Sequence, residues 1–183
     1  SLQNTGGTAI NWTCTNGQAW TTLSAASGTL AAGATATVTV SINSAANALA
    51  AGTYNDTVTF TNTTNGSGNT ARAVTLTATA PGVFAVTPAV GLTSSGTAGG
   101  PFAPSSQVYM LQNSGGAAVD WTCARTQAWT TVSAASGTLA AGATDTVTVS
   151  INSAANGLAA GTYTDTVTFT NTTNGSGNTT RAA

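Results

Sequence analysis

Very few side chains in this sequence could carry out acid–base or metal chemistry. Among its 183 residues there is no histidine. General acid–base catalysis needs titratable groups that act together, and a nucleophilic cysteine needs a partner base. No aspartates or cysteines cluster at metal-ligand spacing. The sequence therefore predicts no enzyme, no metal site and no cofactor. The charged residues are Asp56, Asp120, Asp145, Asp165, Arg72, Arg125 and Arg181.

The overall charge narrows the range of partners. A net charge of -1 provides no basic surface for nucleic acid and no polybasic patch for anionic lipid. No apolar run approaches the roughly 20 residues that cross a bilayer. Cys14 and Cys123 stand at equivalent positions of two repeats, so we expect each to be a small core residue rather than half of a disulfide.

The tryptophans are the next candidates for binding chemistry. Trp12 and Trp121 alternate with apolar neighbours, which predicts packing in a core. Trp20 and Trp129 each stand at the start of a predicted strand. They could cap the core or offer a flat surface on which a sugar ring stacks, and core packing is the favoured interpretation.

Asparagine-linked glycosylation is a second candidate. The motif Asn-x-Ser/Thr recurs in a predicted exposed turn of both repeats, and chance matches are expected in a chain so rich in Asn and Thr. Sugars there would help a nearly uncharged protein to stay dispersed. The candidate glycan acceptors are Asn62, Asn65, Asn171, Asn174 and Asn178.

These residues belong to a repeat of 109 positions. Leu2 corresponds to Leu111, Tyr54 to Tyr163, and about four fifths of the aligned positions are identical. Such self-similarity is typical of tandem structural units. We predict one domain over residues 1–80 and another over 83–183, with a short linker at 81–82.

Alternating apolar and polar residues dominate both repeats. TATVTVSIN and DTVTFTN place Val or Phe on one face and Thr or Ser on the other, which is typical of half-buried strands. About seven such strands with Gly-rich turns between them predict two tandem immunoglobulin-like antiparallel β-sandwiches. The fold class is therefore all-β.

The repeat register predicts strands that are missing from each domain. The first repeat contains no counterpart of VFAVTP at 83–88, and the second contains no counterpart of the strand at 74–78. An unpaired edge is costly, so we expect neighbouring chains, or more of the same polypeptide, to complete the ends. The residues expected at such junctions are Leu2, Gln3, Asn4, Arg181, Ala182 and Ala183.

The run AWTTLSAASGTLAAGATATVTVSIN, followed by AGTYNDTVTFTN, resembles the BACON type of bacterial immunoglobulin-like repeat. Both copies carry the pattern, from Trp20 to Phe60 and from Trp129 to Phe169. The resemblance implies a module of bacterial surface, secreted or phage proteins. Carbohydrate or mucin binding has been proposed for the family, but no agreed binding motif assigns that role to particular residues.

The sequence favours a structural function. We expect an extracellular or cell-surface filament subunit that assembles head to tail with copies of itself by strand complementation. Glycans are a further expected partner, and nucleic acid binding and membrane insertion are not expected. The alternatives are a carbohydrate-binding module and a spacer in a bacterial or phage surface protein.

Overall fold

The computed structural model describes residues 1–183, which separate into two compact units. Unit 1 is Ser1–Thr79 and unit 2 is Ala80–Ala183. Both consist of antiparallel strands with one short 3-10 turn each, so the predicted all-β immunoglobulin-like fold is confirmed. The residues predicted as a linker, 81–82, fall in unit 2, where the Gly82 carbonyl accepts a hydrogen bond from Asn174 at 2.9 Å.

Unit 1 contains eight strands. They are β1 (Leu2–Gln3), β2 (Ile10–Thr15), β3 (Thr21–Leu23), β4 (Ser27–Leu30), β5 (Thr35–Ala36), β6 (Val40–Ile42), β7 (Gly52–Asn62) and β8 (Thr70–Ala78).

Unit 2 contains ten strands. They are β9 (Phe84–Thr87), β10 (Ser95–Gly96), β11 (Phe102–Ala103), β12 (Ser106–Asn113), β13 (Val119–Ala124), β14 (Thr130–Val132), β15 (Ser136–Leu139), β16 (Thr144–Ile151), β17 (Thr166–Asn171) and β18 (Thr179–Ala182).

Unit 2 is a sandwich of two four-stranded sheets. One sheet has the order β15-β13-β17-β18 and the other β14-β16-β12-β9, while β10 and β11 form a separate hairpin. The inward residues of the alternating strands form one core, which explains why the period-two pattern predicted these elements. The fully buried members of this core include Leu111, Val119, Val147, Val149 and Phe169.

Unit 1 repeats only one of these sheets in full. Its sheet β4-β2-β7-β8 matches the first sheet of unit 2, but the opposite layer consists of two separate pairs, β3-β6 and β1-β5. The sequence TVTVSI lies within a continuous strand in unit 2, at 146–151, but is strand only from Val40 in unit 1. In unit 2 this strand pairs with β12 over seven positions, and residues 1–79 contain only the last part of a β12 equivalent.

A glycine under each core tryptophan fixes how tightly the strands pack. Trp12 pairs with Gly28, and Trp121 with Gly137, on adjacent strands. A Cβ atom at either glycine would lie 2.8 Å from Cζ2 of the tryptophan ring. The indole therefore lies flat over the neighbouring backbone, and no larger residue fits without a shift.

A buried asparagine amide joins loops to the core in each unit. Asn113 is 0 % exposed, and its Nδ2 donates to the carbonyls of Ala117, Leu139 and Ala140 at 2.8, 3.1 and 3.1 Å. Asn4, the counterpart in unit 1, is 4 % exposed and makes the same three bonds with its own unit. Because buried carbonyls need donors, this amide substitutes for missing backbone pairing.

Candidate functional site

The buried carboxylate of Asp165 has a structural role. Asp165 is 2 % exposed, and its carboxylate accepts from the backbone N–H groups of Thr126, Gln127 and Thr166 and from the Thr130 hydroxyl. Burial alone would raise the pKa of this carboxyl, but the hydrogen bonds, led by that from the Thr126 side chain, hold it below its ordinary value. The carboxylate thus fastens the loop at 125–130 to the start of β17.

Both cysteines are buried and free. Cys14 is 1 % exposed and Cys123 is 3 % exposed, and each packs in the core of its unit as predicted. Burial raises the pKa of the Cys123 thiol to about 11 and also raises that of Cys14. A thiol in this state is a poor nucleophile near neutral pH.

No group of three histidine, cysteine, aspartate or glutamate side chains comes together to hold a metal ion. No helix has the length and hydropathy to cross a membrane.

The two tryptophans proposed as sugar platforms occupy different surroundings. Trp20 is 4 % exposed, so its ring offers almost no face to a ligand. Trp129 is half-buried and lines a cleft in unit 2. Only the second copy therefore presents an indole in a position that a ligand can reach.

The asparagine turn is held by its own side chains. Asn171 is 1 % exposed, and its Nδ2 donates to Asn174 Oδ1 at 2.7 Å and to the Ser176 carbonyl at 2.9 Å. This amide is inaccessible to a sugar in the folded unit because both of its hydrogens are used. Asn62 makes the same two bonds in unit 1, with Asn65 and Ser67.

The other candidate acceptors lie at the surface. Asn65, Asn174 and Asn178 are exposed. The amide of Asn174 donates to the Gly82 carbonyl, while Asn178 Oδ1 accepts from the backbone N–H of Asn171 at 2.7 Å. Asn65 and Asn178 are exposed, and glycosylation at these two residues stays a prediction.

A cleft of about 500 Å³ lies in unit 2 beside the end of β18. It lies beside the segment Gly161–Thr164, which has no strand opposite it. In unit 1 the equivalent segment, Gly52–Asn55, pairs with Thr75–Ala78 of β8. The cleft thus occurs where unit 1 places the second half of its closing strand. Its apolar lining includes Phe102, Trp129, Ile151, Leu158 and Tyr163.

The junction residues at the end of unit 2 divide into two kinds. Ala182 and Ala183 line the cleft, and Ala183 exchanges backbone hydrogen bonds with Asp165 at 2.7 and 3.0 Å. Arg181 is 8 % exposed and is fully engaged within unit 2, donating to the carbonyls of Val86 at 2.7 Å and Pro88 at 2.8 Å.

Three parts of unit 1, namely β1, β6 and Arg72, lack the partners that their counterparts have in unit 2, and we call these three parts together the open edge. Val40 is 36 % exposed and Ile42 is 47 % exposed, whereas Val149, the counterpart of Val40, is 0 % exposed. Leu2 and Gln3 of β1 pair only with β5. Asn4 belongs to the interior, so of the three predicted N-terminal junction residues only Leu2 and Gln3 lie at this edge.

Sequence reasoning missed the open edge as a set of residues. Arg72 is exposed and donates only to Thr70 and Ala71, although its counterpart Arg181 is buried. The signal was present in the alignment of the two repeats. Arg181 has a partner strand upstream in its own unit, and Arg72 has none within residues 1–79.

Solved structures that match this chain resemble it only weakly. A protein of unknown function from Porphyromonas gingivalis is 10% identical over 99% of this chain and 87% of that chain, with a TM-score of 0.39. The D0–D1 domain of intimin is 12% identical over 99% and 84%, with a TM-score of 0.32. The CsuC–CsuE chaperone–tip adhesion subunit complex of Acinetobacter baumannii is 12% identical over 98% and 87%, with a TM-score of 0.31.

No curated protein matches the sequence. A family model described as the viral BACON domain matches residues 1–79 and 104–182, which is most of both units. The match confirms the resemblance that the motifs predicted. This chain belongs to the viral BACON domain family.

Proposed function

We propose that this chain is a structural module of an extracellular or cell-surface filament, in which copies join head to tail by β-strand complementation. One observation carries the proposal: near-identical sequences form complete strands in one unit and incomplete strands in the other. β7 has 11 residues and pairs with β8 over nine positions, whereas its counterpart β17 has 6 residues and pairs with β18 over four. In this proposal the sequence of unit 2 also forms the longer strand when a strand from another copy lies opposite residues Gly161–Thr164.

Each unit offers a different place for an added strand. Unit 2 has the cleft beside Gly161–Thr164, and unit 1 has the open edge. Unpaired backbone groups at such edges favour addition of a strand from another chain. Because the two places differ, the contact is heterologous and extends into a fibre when it does not close into a ring.

The apolar surface left at the open edge supplies the driving force. Val40 and Ile42 expose 36 % and 47 % of their surface, whereas in unit 2 the counterpart of Val40 is fully buried and that of Ile42, Ile151, is partly buried. Full burial of a Val or Ile side chain contributes about 1.5–3 kcal/mol relative to exposure. Covering these two side chains would therefore offset part of the cost of association.

The remaining surface suits a passive filament body rather than an enzyme. Thr and Ser face outward along the strands, and the seven charged residues are mostly hydrogen-bonded within their units or scattered.

In this proposal the chain has no catalytic role, and glycans on the exposed asparagine turn keep the nearly uncharged protein dispersed. Intact-protein mass spectrometry of native material should show added hexose mass.

Electron microscopy of the purified chain tests the assembly. We expect ordered fibres, and we expect far fewer fibres for Ile42→Lys, which places a charge on the open edge. Val90→Lys is the matched control, because Val90 is 66 % exposed and lies in no strand. Single beaded monomers under all conditions would refute the proposal and support a spacer role.

A carbohydrate-binding module is the second candidate, and the cleft of unit 2 favours it. Phe102, Trp129 and Tyr163 line this cleft, and aromatic faces provide stacking surfaces for sugar rings. On a glycan array, retention that disappears in Trp129→Ala but survives in Val108→Ala would support this function. Val108 is a suitable control because it is 51 % exposed and lies outside the cleft.

A further inference from the structure

Part of strand β16 in unit 2 has a neighbouring strand on one side only. In the sheet β14-β16-β12-β9, β16 pairs with β12 from Thr144 to Ser150. On its other side, β16 pairs with β14 only at residues 149–151. Residues 144–147 therefore lie at the margin of the sheet, and we call these four residues the β16 edge.

The hydrogen bonds of Thr148 show which backbone groups of the β16 edge point away from β12. Ser133, the residue after β14, donates its N–H to the Thr148 carbonyl at 2.9 Å, and the Thr148 N–H donates to Ser133 Oγ at 2.9 Å. Thr148 thus faces the β14 side. Because alternate residues of an antiparallel strand bond to opposite neighbours, Thr144 and Thr146 face the same side, where no strand lies. Such unpaired groups are a template for pairing with another chain.

A carboxylate occupies the middle of the β16 edge. Asp145 Oδ1 accepts a hydrogen bond from the Thr146 N–H at 2.7 Å, so a donor that an added strand would use is already taken. Asp145 is exposed, although it alternates with Val147 and Val149, which are 0 % exposed. A strand added here would cover the carboxylate, and burial of an unpaired charge is costly. Charges on edge strands prevent edge-to-edge pairing in this way.

The two repeats differ at this position. Residues 142–152 are identical to residues 33–43 except that Ala36 stands in place of Asp145. The turn before the strand has the same backbone hydrogen bond in both units, at 3.0 Å, from Ala34 to Ala31 and from Ala143 to Ala140. The carboxylate is therefore not required to form this turn.

The remaining edges of this sheet are closed in other ways. At the far side, Arg181 donates to the carbonyls of Val86 and Pro88 at the end of β9. On the near side, the outer strand β14 has only three residues. Very short edge strands are poor templates for pairing, so the β16 edge is the main place at which this sheet could extend.

We infer that the β16 edge is a pairing surface for the β16 edge of a second copy of this chain, and that Asp145 keeps the two copies apart. The partner is a second copy because the segment is self-complementary: two antiparallel segments of the same sequence offer matching N–H and C=O groups about a two-fold axis. In a pair centred on residue 145 or 146, the two Asp145 carboxylates lie directly or diagonally opposite. Like charges at such positions are destabilising.

Analytical ultracentrifugation of the full chain tests the inference, at protein concentrations at which the parent chain forms no fibres. Asp145→Ala introduces the residue of the first repeat and removes both the cap and the repulsion. We expect its self-association to have a dissociation constant at least about tenfold lower than that of the parent. Asp145→Lys places a charge of the other sign on the edge and should restore the parent behaviour, because two lysines also repel.

Asp120→Asn is the matched control. It also removes one exposed carboxylate and also introduces the residue of the first repeat, Asn11. Asp120 lies on β13, which is paired with strands on both sides, so this substitution leaves the β16 edge unchanged. Its dissociation constant should equal that of the parent chain.

Hydrogen exchange locates the contact. In Asp145→Ala, the amides of Thr144 and Thr146 should exchange more slowly as the protein concentration rises, while those of the turn at 172–178 should not change. Self-association of Asp145→Ala no stronger than that of Asp120→Asn would overturn the inference. Equal association of Asp145→Lys and Asp145→Ala, or slower exchange only outside residues 144–147, would do the same.

The inference goes beyond the proposed filament and does not require it, because it concerns contacts between copies that lie side by side. If the parent forms fibres, electron microscopy should show them bundled laterally in Asp145→Ala. Self-association of Asp145→Ala without fibres in the parent keeps the inference and refutes the filament. Parent fibres, together with an Asp145→Ala chain that neither bundles nor self-associates more strongly, keep the filament and overturn the inference.

Discussion

At the scale of residues, the contact between tryptophan and glycine sets the tolerance of the core. A Cβ on Gly137 would lie 2.8 Å from the Trp121 ring, closer than packed side chains permit. We expect Gly137→Ala to destabilise unit 2 by about 1–3 kcal/mol, because overpacking forces neighbouring groups to shift. Urea unfolding followed by tryptophan fluorescence measures the change.

Gly157→Ala is the matched control for that substitution. No atom lies within 4 Å of a Cβ at Gly157, and its counterpart in unit 1 is already alanine, Ala48. Its unfolding free energy should stay within about 0.5 kcal/mol of the parent value. Equal effects of the two substitutions would contradict the packing argument.

The buried carboxylate of Asp165 makes stability depend on pH. Its folded pKa lies below the ordinary value, so its stabilisation is complete above about pH 5 and is lost as the pH falls through the folded pKa. We expect Asp165→Asn to cost about 1–3 kcal/mol at neutral pH. Its unfolding free energy should also fall less between about pH 5 and 2 than that of the parent.

Local patterns predicted some residue roles and not others. Alternation placed Trp12, Trp121 and the cysteines in the core, because a period of two assigns faces without any tertiary information. The contrast between Arg72 and Arg181 was not predictable in this way. An arginine is buried only when carbonyls distant in sequence, here those of Val86 and Pro88, happen to surround it.

At the scale of elements, strand length follows the available partner. Tyr54 pairs with Leu76, whereas its counterpart Tyr163 is 43 % exposed and lies outside any strand. We expect the amides of Thr162–Thr164 to exchange hydrogen much faster than those of Thr53–Asn55. Hydrogen exchange read by mass spectrometry or nuclear magnetic resonance measures both segments in one sample.

A peptide with the sequence of residues 73–80, AVTLTATA, provides the matching test. It should slow exchange at Thr162–Thr164, because it restores the ladder that β8 supplies in unit 1. A scrambled peptide of the same composition should have no effect. Unchanged exchange with the ordered peptide would show that the cleft does not accept a strand.

Strand positions were largely predictable from sequence, but strand extents were not. Val and Thr alternation identified the elements that became β2, β7, β13 and β16, because pleating imposes the same period everywhere. The break between β5 and β6 covers residues 37–39, and the identical residues 146–148 lie inside the continuous strand β16, so these residues themselves carry no signal for the break. Pairing with a distant strand decides the outcome, and that is a tertiary effect.

At the scale of the whole molecule, the two units should differ in stability. The core of unit 1 has partly exposed Leu2, Ile10 and Phe60 where the core of unit 2 is closed. We expect unit 1 to unfold at a lower urea concentration, with a difference of about 2 kcal/mol moving the midpoint by about 1 M.

The two thiols report on this difference, because each unit contains one buried cysteine. In pulsed thiol labelling across a urea series, Cys14 should become reactive before Cys123. The single variants Cys14→Ser and Cys123→Ser assign the two signals. Simultaneous labelling of both thiols would indicate one cooperative transition and contradict the expected order.

Arg181 also bears on how unit 2 would respond to a pulling force. It projects from β18 in one sheet and is bonded to the end of β9 in the other. Tension applied at the end of β18 would therefore be shared between both layers instead of peeling one strand away in sequence. Arg72 donates only to Thr70 and Ala71 beside it in sequence, so we expect unit 1 to lack this cross-link between its layers and to yield to a lower force.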